Sequence, residues 1–110
     1  FELMDYWIQP GNTLWQRRIA MVACWMHVRH GVYEPTLRRA EALLDTKEDL
    51  LQKASGWMLR EMGKSGEEGR ELLLEFLENH VGEMSSTLLS YATEKLPVDE
   101  RHYWQQRRKA

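Results

Sequence analysis

The chain has almost no cysteine, little proline and no long apolar run, and each shortage closes off a class of protein. Cys24 stands alone, so no internal disulfide can form, and no signal peptide is recognisable. Both point to a reducing, cytoplasmic address. No stretch approaches the roughly 18 to 20 apolar residues that would span a bilayer, so the sequence calls for no membrane. Seven glycines and three prolines are too few for a collagen-like chain or a low-complexity linker. Excess charge is missing as well: 15 basic against 17 acidic residues leave −2, so binding to nucleic acid needs a local basic face. There is no HExxH, no CxxC, no Gly-rich phosphate loop and no GxSxG elbow, and no metal or cofactor is expected.

What is present is a chain 43% hydrophobic and 29% charged, which excludes disorder; its 110 residues suit one small domain with a modest core. Its punctuation divides it into short helices with almost no strand signal. Phe1 to Gln9 reads as a helix, with Leu3, Met4, Trp7 and Ile8 at helical spacing. Because the chain opens on Phe1 inside that pattern, the expectation is the C-terminal part of something longer. Thr13 and Gln16 form a capping-box pattern for a helix that runs to about Arg29 and stops before Gly31. Glu34-Pro35 opens the next helix, which ends near Leu44. Thr46 is read as the cap of a helix through Met62 closed by Gly63, and Ser65 with Glu68 as the capping box of a fourth helix to about Asn79. Further helices are expected over Ser86 to Lys95 and Val98 to Arg107, divided by Pro97.

Short loops between helices of this length make antiparallel neighbours. A weak internal echo adds to the pattern: Arg17-Arg18-Ile19-Ala20 recurs as Gln52-Lys53-Ala54-Ser55, with Ser90-Tyr91-Ala92 at the matching place in a third pair. Two helices per repeat at that offset favour an all-α, HEAT-like or armadillo-like superhelix of about two and a half to three helix pairs over a plain bundle.

Two helices mix cations with aromatics at helical spacing. Trp15, Arg18, Trp25 and Arg29 fall near one stripe; Lys53, Trp57, Arg60 and Lys64 share a tighter face. Cations at such spacing meet phosphates, and an indole between them meets a base or a sugar. The plainer reading weighs against this. Helical tryptophans usually join a core, which is the reading of Trp7, Trp15 and Trp25 and, from spacing alone, of Trp57. Cys24 reads as a small buried hydrophobe, and His27 with His30 as an ordinary helix end. Glu67, Glu68, Glu71, Glu75 and Glu78 mark a solvent-facing helix, and Arg107-Arg108-Lys109 a frayed terminus.

The run Gln52-Lys53-Ala54-Ser55-Gly56-Trp57-Met58-Leu59-Arg60-Glu61 resembles the most recognisable stretch of the AlkD-type DNA alkylation repair enzymes. Asn12 to Ala20 is similar to the segment those proteins carry one repeat earlier, and Glu83-Met84 to Pro97 to their C-terminal helix. The resemblance implies a HEAT-like fold and a DNA glycosylase that releases purines alkylated at N3 or N7 from double-stranded DNA. It matches Arg18 and Trp57 to DNA-contacting positions and so moves Trp57 from the core to the DNA, while the shared basic face makes Lys53 and Arg60 the expected secondary phosphate support.

Two departures limit the implication. The family's catalytic aspartate lies roughly one repeat, about 35 residues, before the position of Arg18, upstream of Phe1. No catalytic residue is therefore assigned in this chain, Glu2 and Asp5 being on the wrong helix. Ser85, Ser86 and Ser90 stand where relatives often carry proline or basic residues, which weakens the third repeat's phosphate grip. The alternative is a non-catalytic HEAT-like scaffold for protein or DNA. An apolar N-terminal face left by missing repeats would drive dimerisation.

Overall fold

The computed structural model describes residues 2–110, and among them there is no strand. Phe1, the opening residue of the first expected helix, lies outside the described residues. The elements are α1 (Glu2–Trp7), α2 (Leu14–Val22), α3 (Cys24–Arg29), α4 (Glu34–Ala42), α5 (Asp49–Lys64) and α6 (Glu67–His80). A 3₁₀ turn (Val81–Glu83), α7 (Ser86–Ala92) and α8 (Val98–Lys109) complete the chain. No helix among the described residues is long and apolar enough to cross a membrane.

The helix starts show which local signals won. Thr13 caps α2 with the full reciprocal box: its hydroxyl accepts from the Gln16 N–H at 3.1 Å, and the Gln16 side chain accepts from the Thr13 N–H at 2.9 Å. Gly31, at φ 73°, ends α3 in the left-handed region that glycine tolerates. Three other readings are corrected. Thr46 is not a cap, because Asp49 begins α5 and Thr46 instead accepts from the Glu48 N–H. Gly63 does not close α5; it lies within the helix where Leu73 presses close, and a Cβ there would come within 2.5 Å of Leu73 Cδ2. Ser65 does not cap α6, since its hydroxyl donates to the Met62 carbonyl at 2.8 Å and reaches the Tyr33 hydroxyl at 2.9 Å. The expected Thr13–Arg29 helix is interrupted at Ala23, which divides it into α2 and α3.

α5 is the centre of the molecule. It packs against α2 on one side and α7 on the other, while α4 and α6 lie against it from the second layer and α8 against α7. Leu51, Ala54, Met58, Leu59 and Met62 recur at helical spacing and are all buried. Each such side chain contributes about 1.5–3 kcal/mol when fully removed from water, with Ala54 at less. The core they form takes in Met21 and Cys24, Leu43, Leu73 and Leu77, Leu88 and Leu89, and the last helix's Trp104. The radius of gyration is 13.0 Å, the size expected of one domain of this length.

Polar bonds pin the first helices to this core. Arg39 is fully buried on α4, donating to the Ala20 carbonyl at 3.0 Å and pairing with Asp5 at 3.3 Å. Arg38 grips the same carboxylate through both oxygens, and Arg17 donates to the Ile8 carbonyl at 2.8 Å. The C-terminus is docked rather than frayed. Arg107 pairs with Glu78 at 3.0 Å and lies over the Trp104 ring, while Arg108 donates to the Met84 carbonyl at 2.9 Å. Glu67, Glu68, Glu71, Glu75 and Glu78 face solvent along α6, as expected of an outer helix.

Candidate nucleic-acid interface

The row α2–α5–α7 leaves a groove of about 340 Å³, and the four residues singled out from the sequence all line it. Arg18 reaches it from α2; Lys53, Trp57 and Arg60 come from successive turns of α5; Leu50 and Ala54 form its apolar floor. Arg17 and Arg18 therefore divide their work: the first holds the Ile8 carbonyl, the second faces the groove. Trp57 is half-buried, with one part of its indole against the core and the rest on the groove wall.

Tyr91 on α7 also lines the groove, 36% exposed, a position not among the four candidates. The signal for it was there. The internal echo that equates Arg18 with Lys53 equates Lys53 with Tyr91, and all three positions open onto this groove.

The cations are not equivalent. Lys53 pairs with Asp49 at 2.9 Å, one turn earlier on the same helix, and that hydrogen bond and charge raise its pKa. Arg60 pairs with Glu94 at 2.7 Å and with Glu61 at 3.3 Å. Arg18 makes no ion pair among the described residues, so its charge is the one left uncompensated on the groove wall. No Asp or Glu lines the groove, and the neighbouring carboxylates are held by these cations. An arginine beside two aromatic rings over an apolar floor suits a sugar–phosphate backbone: the guanidinium takes the phosphate, the rings take the sugar or base face.

Both basic–aromatic stripes are split by the fold. Trp15 is 63% and Trp25 40% exposed, so neither joins the core as expected; Trp7 does pack against it. Past the interruption at Ala23, Trp25 and Arg29 line not the groove but a second cleft, of about 320 Å³, which Lys64 reaches from α5. Ser85 serves as the α7 cap and donates to Gln52 at 2.6 Å, so it tethers α7 to α5. Cys24 is fully buried, and burial pushes its thiol pKa up. No group of three or more His, Cys, Asp or Glu side chains suited to a metal ion occurs among the described residues.

The family model of the DNA alkylation repair enzymes matches residues 1–96, a span holding the groove, the second cleft and every helix but α8. No curated protein and no solved structure gives a match. The match covers most of the chain, and the all-helical architecture agrees with the helical-repeat fold of those proteins. The chain belongs to the DNA alkylation repair enzyme family.

Proposed function

We propose that this chain is the DNA-holding C-terminal part of a glycosylase acting on N3- or N7-alkylated purines, and that alone it breaks no glycosyl bond. The observation that carries the reading is the groove in which uncompensated Arg18 stands beside Trp57 and Tyr91. An alkylated purine already carries positive charge, so its departure needs little acid catalysis. The demanding part is the oxocarbenium-like sugar, which a carboxylate stabilises. No carboxylate lines this groove, so that group comes from outside the residues present here. This chain's share is to hold the damaged strand, with Arg18 on a phosphate, Trp57 against the sugar, and Lys53 and Arg60 in support. The same reading places it in the cytoplasm, where Cys24 stays a thiol, with no cofactor. The exposed apolar side chains of α1 to α3, among them Leu3, Tyr6, Trp15 and Ile19, are where two copies associate.

A titration of duplex DNA, with and without a 7-methylguanine, against the wild-type chain and the Arg18→Ala/Trp57→Ala variant tests this. Wild-type binding should weaken with salt, and the variant should lose affinity together with about one unit of the salt slope. Equal affinity of the two proteins would remove the groove from the DNA. Release of the methylated base by this chain alone would overturn the second half of the proposal.

A second reading, a scaffold that kept the fold and lost the chemistry, draws on the ion pairs that tie down Lys53 and Arg60. As a protein-binding scaffold it predicts no salt-dependent affinity for duplex; as a DNA-binding one it keeps that affinity but releases no base.

A further inference from the structure

The first cleft does not use up the cations and rings of the two helices that build it. α5 carries Lys53, Trp57 and Arg60 into the groove and then, one turn past Arg60, carries Lys64 into the second cleft. The α2–α3 segment does the same: Arg18 faces the groove, and Trp25 and Arg29, past the interruption at Ala23, face the second cleft. Each helix thus contributes twice, and the two clefts lie side by side along α5.

The second cleft repeats the chemistry of the first. The Arg29 guanidinium lies 4.9 Å from the centroid of the Trp25 ring, which holds it in place without neutralising it. No ion pair involves Arg29 among the described residues. Across the cleft, Lys64 pairs with Glu61 at 3.4 Å, and Glu61 is shared with Arg60, so one carboxylate faces two cations there. Tyr33 and Ser65, bonded to each other at 2.9 Å, close the far wall with hydroxyl groups. The cleft therefore offers an anion one guanidinium without an ion-pair partner and one ammonium partly compensated by Glu61.

We propose that the second cleft binds a further phosphate of the DNA strand held in the groove, with Arg29 as its principal contact, Trp25 as the ring that orients Arg29, and Lys64 in support. This rests on the reading of the groove as a DNA surface. The spacing fits a continuous backbone: Trp57 and Lys64 are two helical turns apart, about 10 Å at roughly 1.5 Å per residue. A DNA strand passes about three phosphates in that length, at about 3.4 Å each along the duplex axis. That length is within reach of one strand running from the groove, lined by Arg18, to the second cleft, lined by Arg29.

The test is the salt dependence of duplex binding for the wild-type chain, Arg18→Ala, Arg29→Ala and Trp25→Phe, with thermal unfolding of each as a folding control. Arg29 and Trp25 are exposed, so these variants should melt with the wild type. Arg29→Ala should weaken binding severalfold and lower the salt slope by about one unit, as Arg18→Ala does. Trp25→Phe should weaken binding less and leave the slope unchanged, because it alters the orientation of the charge and not the charge. Duplexes too short to reach both clefts should no longer distinguish Arg29→Ala from wild type. If Arg18→Ala lowers the slope and Arg29→Ala does not, the second cleft carries no phosphate and the groove reading stands. If neither changes the slope, or the wild type shows no salt-dependent binding, both readings fall together.

Discussion

Gly56 on α5 and Tyr91 on α7 approach so closely that a Cβ on Gly56 would lie 2.4 Å from the Tyr91 Cβ. The Leu88 carbonyl would be 3.0 Å from it as well. The missing side chain lets α7 settle against α5 and brings Tyr91 to the edge of the same groove as Trp57. Packing and site geometry thus depend on one hydrogen atom in place of a methyl group.

Gly56→Ala should therefore destabilise the fold by about 1–3 kcal/mol, the usual cost of overpacking a well-filled contact. For a domain of about this size each kcal/mol lowers Tm by roughly 4–8 °C. Gly82→Ala is the control, since a Cβ there meets nothing within 4 Å. Thermal unfolding of the two variants should separate them clearly. Equal melting temperatures would mean that α5 and α7 are not packed as described.

The extent to which sequence foretold this follows from the range of each interaction. The capping box of Thr13 and Gln16 was legible because both partners lie within three residues. The cations and indole at positions 53, 57 and 60 were legible as a face because a helix repeats every 3.6 residues. Gly63 and Ser65 misled, because their roles are set by Leu73 and Tyr33, which sequence distance hides. Trp15 and Trp25 misled because the tendency of tryptophan to be buried was applied without knowing which faces of α2 and α3 turn to the core. Buried Arg39 gave no sign in the sequence, because its partners Asp5 and Ala20 come from two other helices.

Asp5 makes the stability of the N-terminal helices sensitive to acid. Its hydrogen bond from Arg38, together with that from Arg39, holds its carboxyl below the ordinary value despite some burial that opposes this. A lowered folded pKa stabilises the protein fully above the unfolded value, about pH 4, and the gain disappears as the pH falls through the folded value. Asp5→Asn should cost about 1–3 kcal/mol at pH 7. That is less than the roughly 3–5 kcal/mol for a fully buried pair, because the Asp5 side chain is partly exposed. The difference from wild type should shrink below pH 4. Denaturant melts at pH 7 and pH 2.5 would show it, and a constant difference would contradict the linkage.

Cys24 should be chemically silent in the folded chain. Its side chain is fully buried, burial raises the thiol pKa, and the Arg39 guanidinium at 3.5 Å only partly opposes that rise. The thiolate is the reactive form, so a disulfide reagent at pH 8 should label the native chain far more slowly than the urea-unfolded chain. Labelling at the rate of a free thiol would place Cys24 at the surface.

The ion pair between Arg60 and Glu94 holds back part of the groove's positive charge. Its 2.7 Å hydrogen bond directs the guanidinium toward α7, and Arg60 remains only partly exposed. Glu94→Gln leaves a side chain of similar shape that still accepts a hydrogen bond but has no charge. Because Glu94 lies on the surface, the loss to stability should be below about 1 kcal/mol. DNA affinity should move the other way, rising severalfold at low salt with a salt slope steeper by up to about one unit, as Arg60 becomes available to a phosphate. Arg60→Ala combined with Glu94→Gln should abolish that gain, which separates release of Arg60 from a general change in net charge. A duplex titration at several salt concentrations reads both effects. Unchanged affinity in Glu94→Gln would mean that Arg60 shapes the groove wall without contacting the strand.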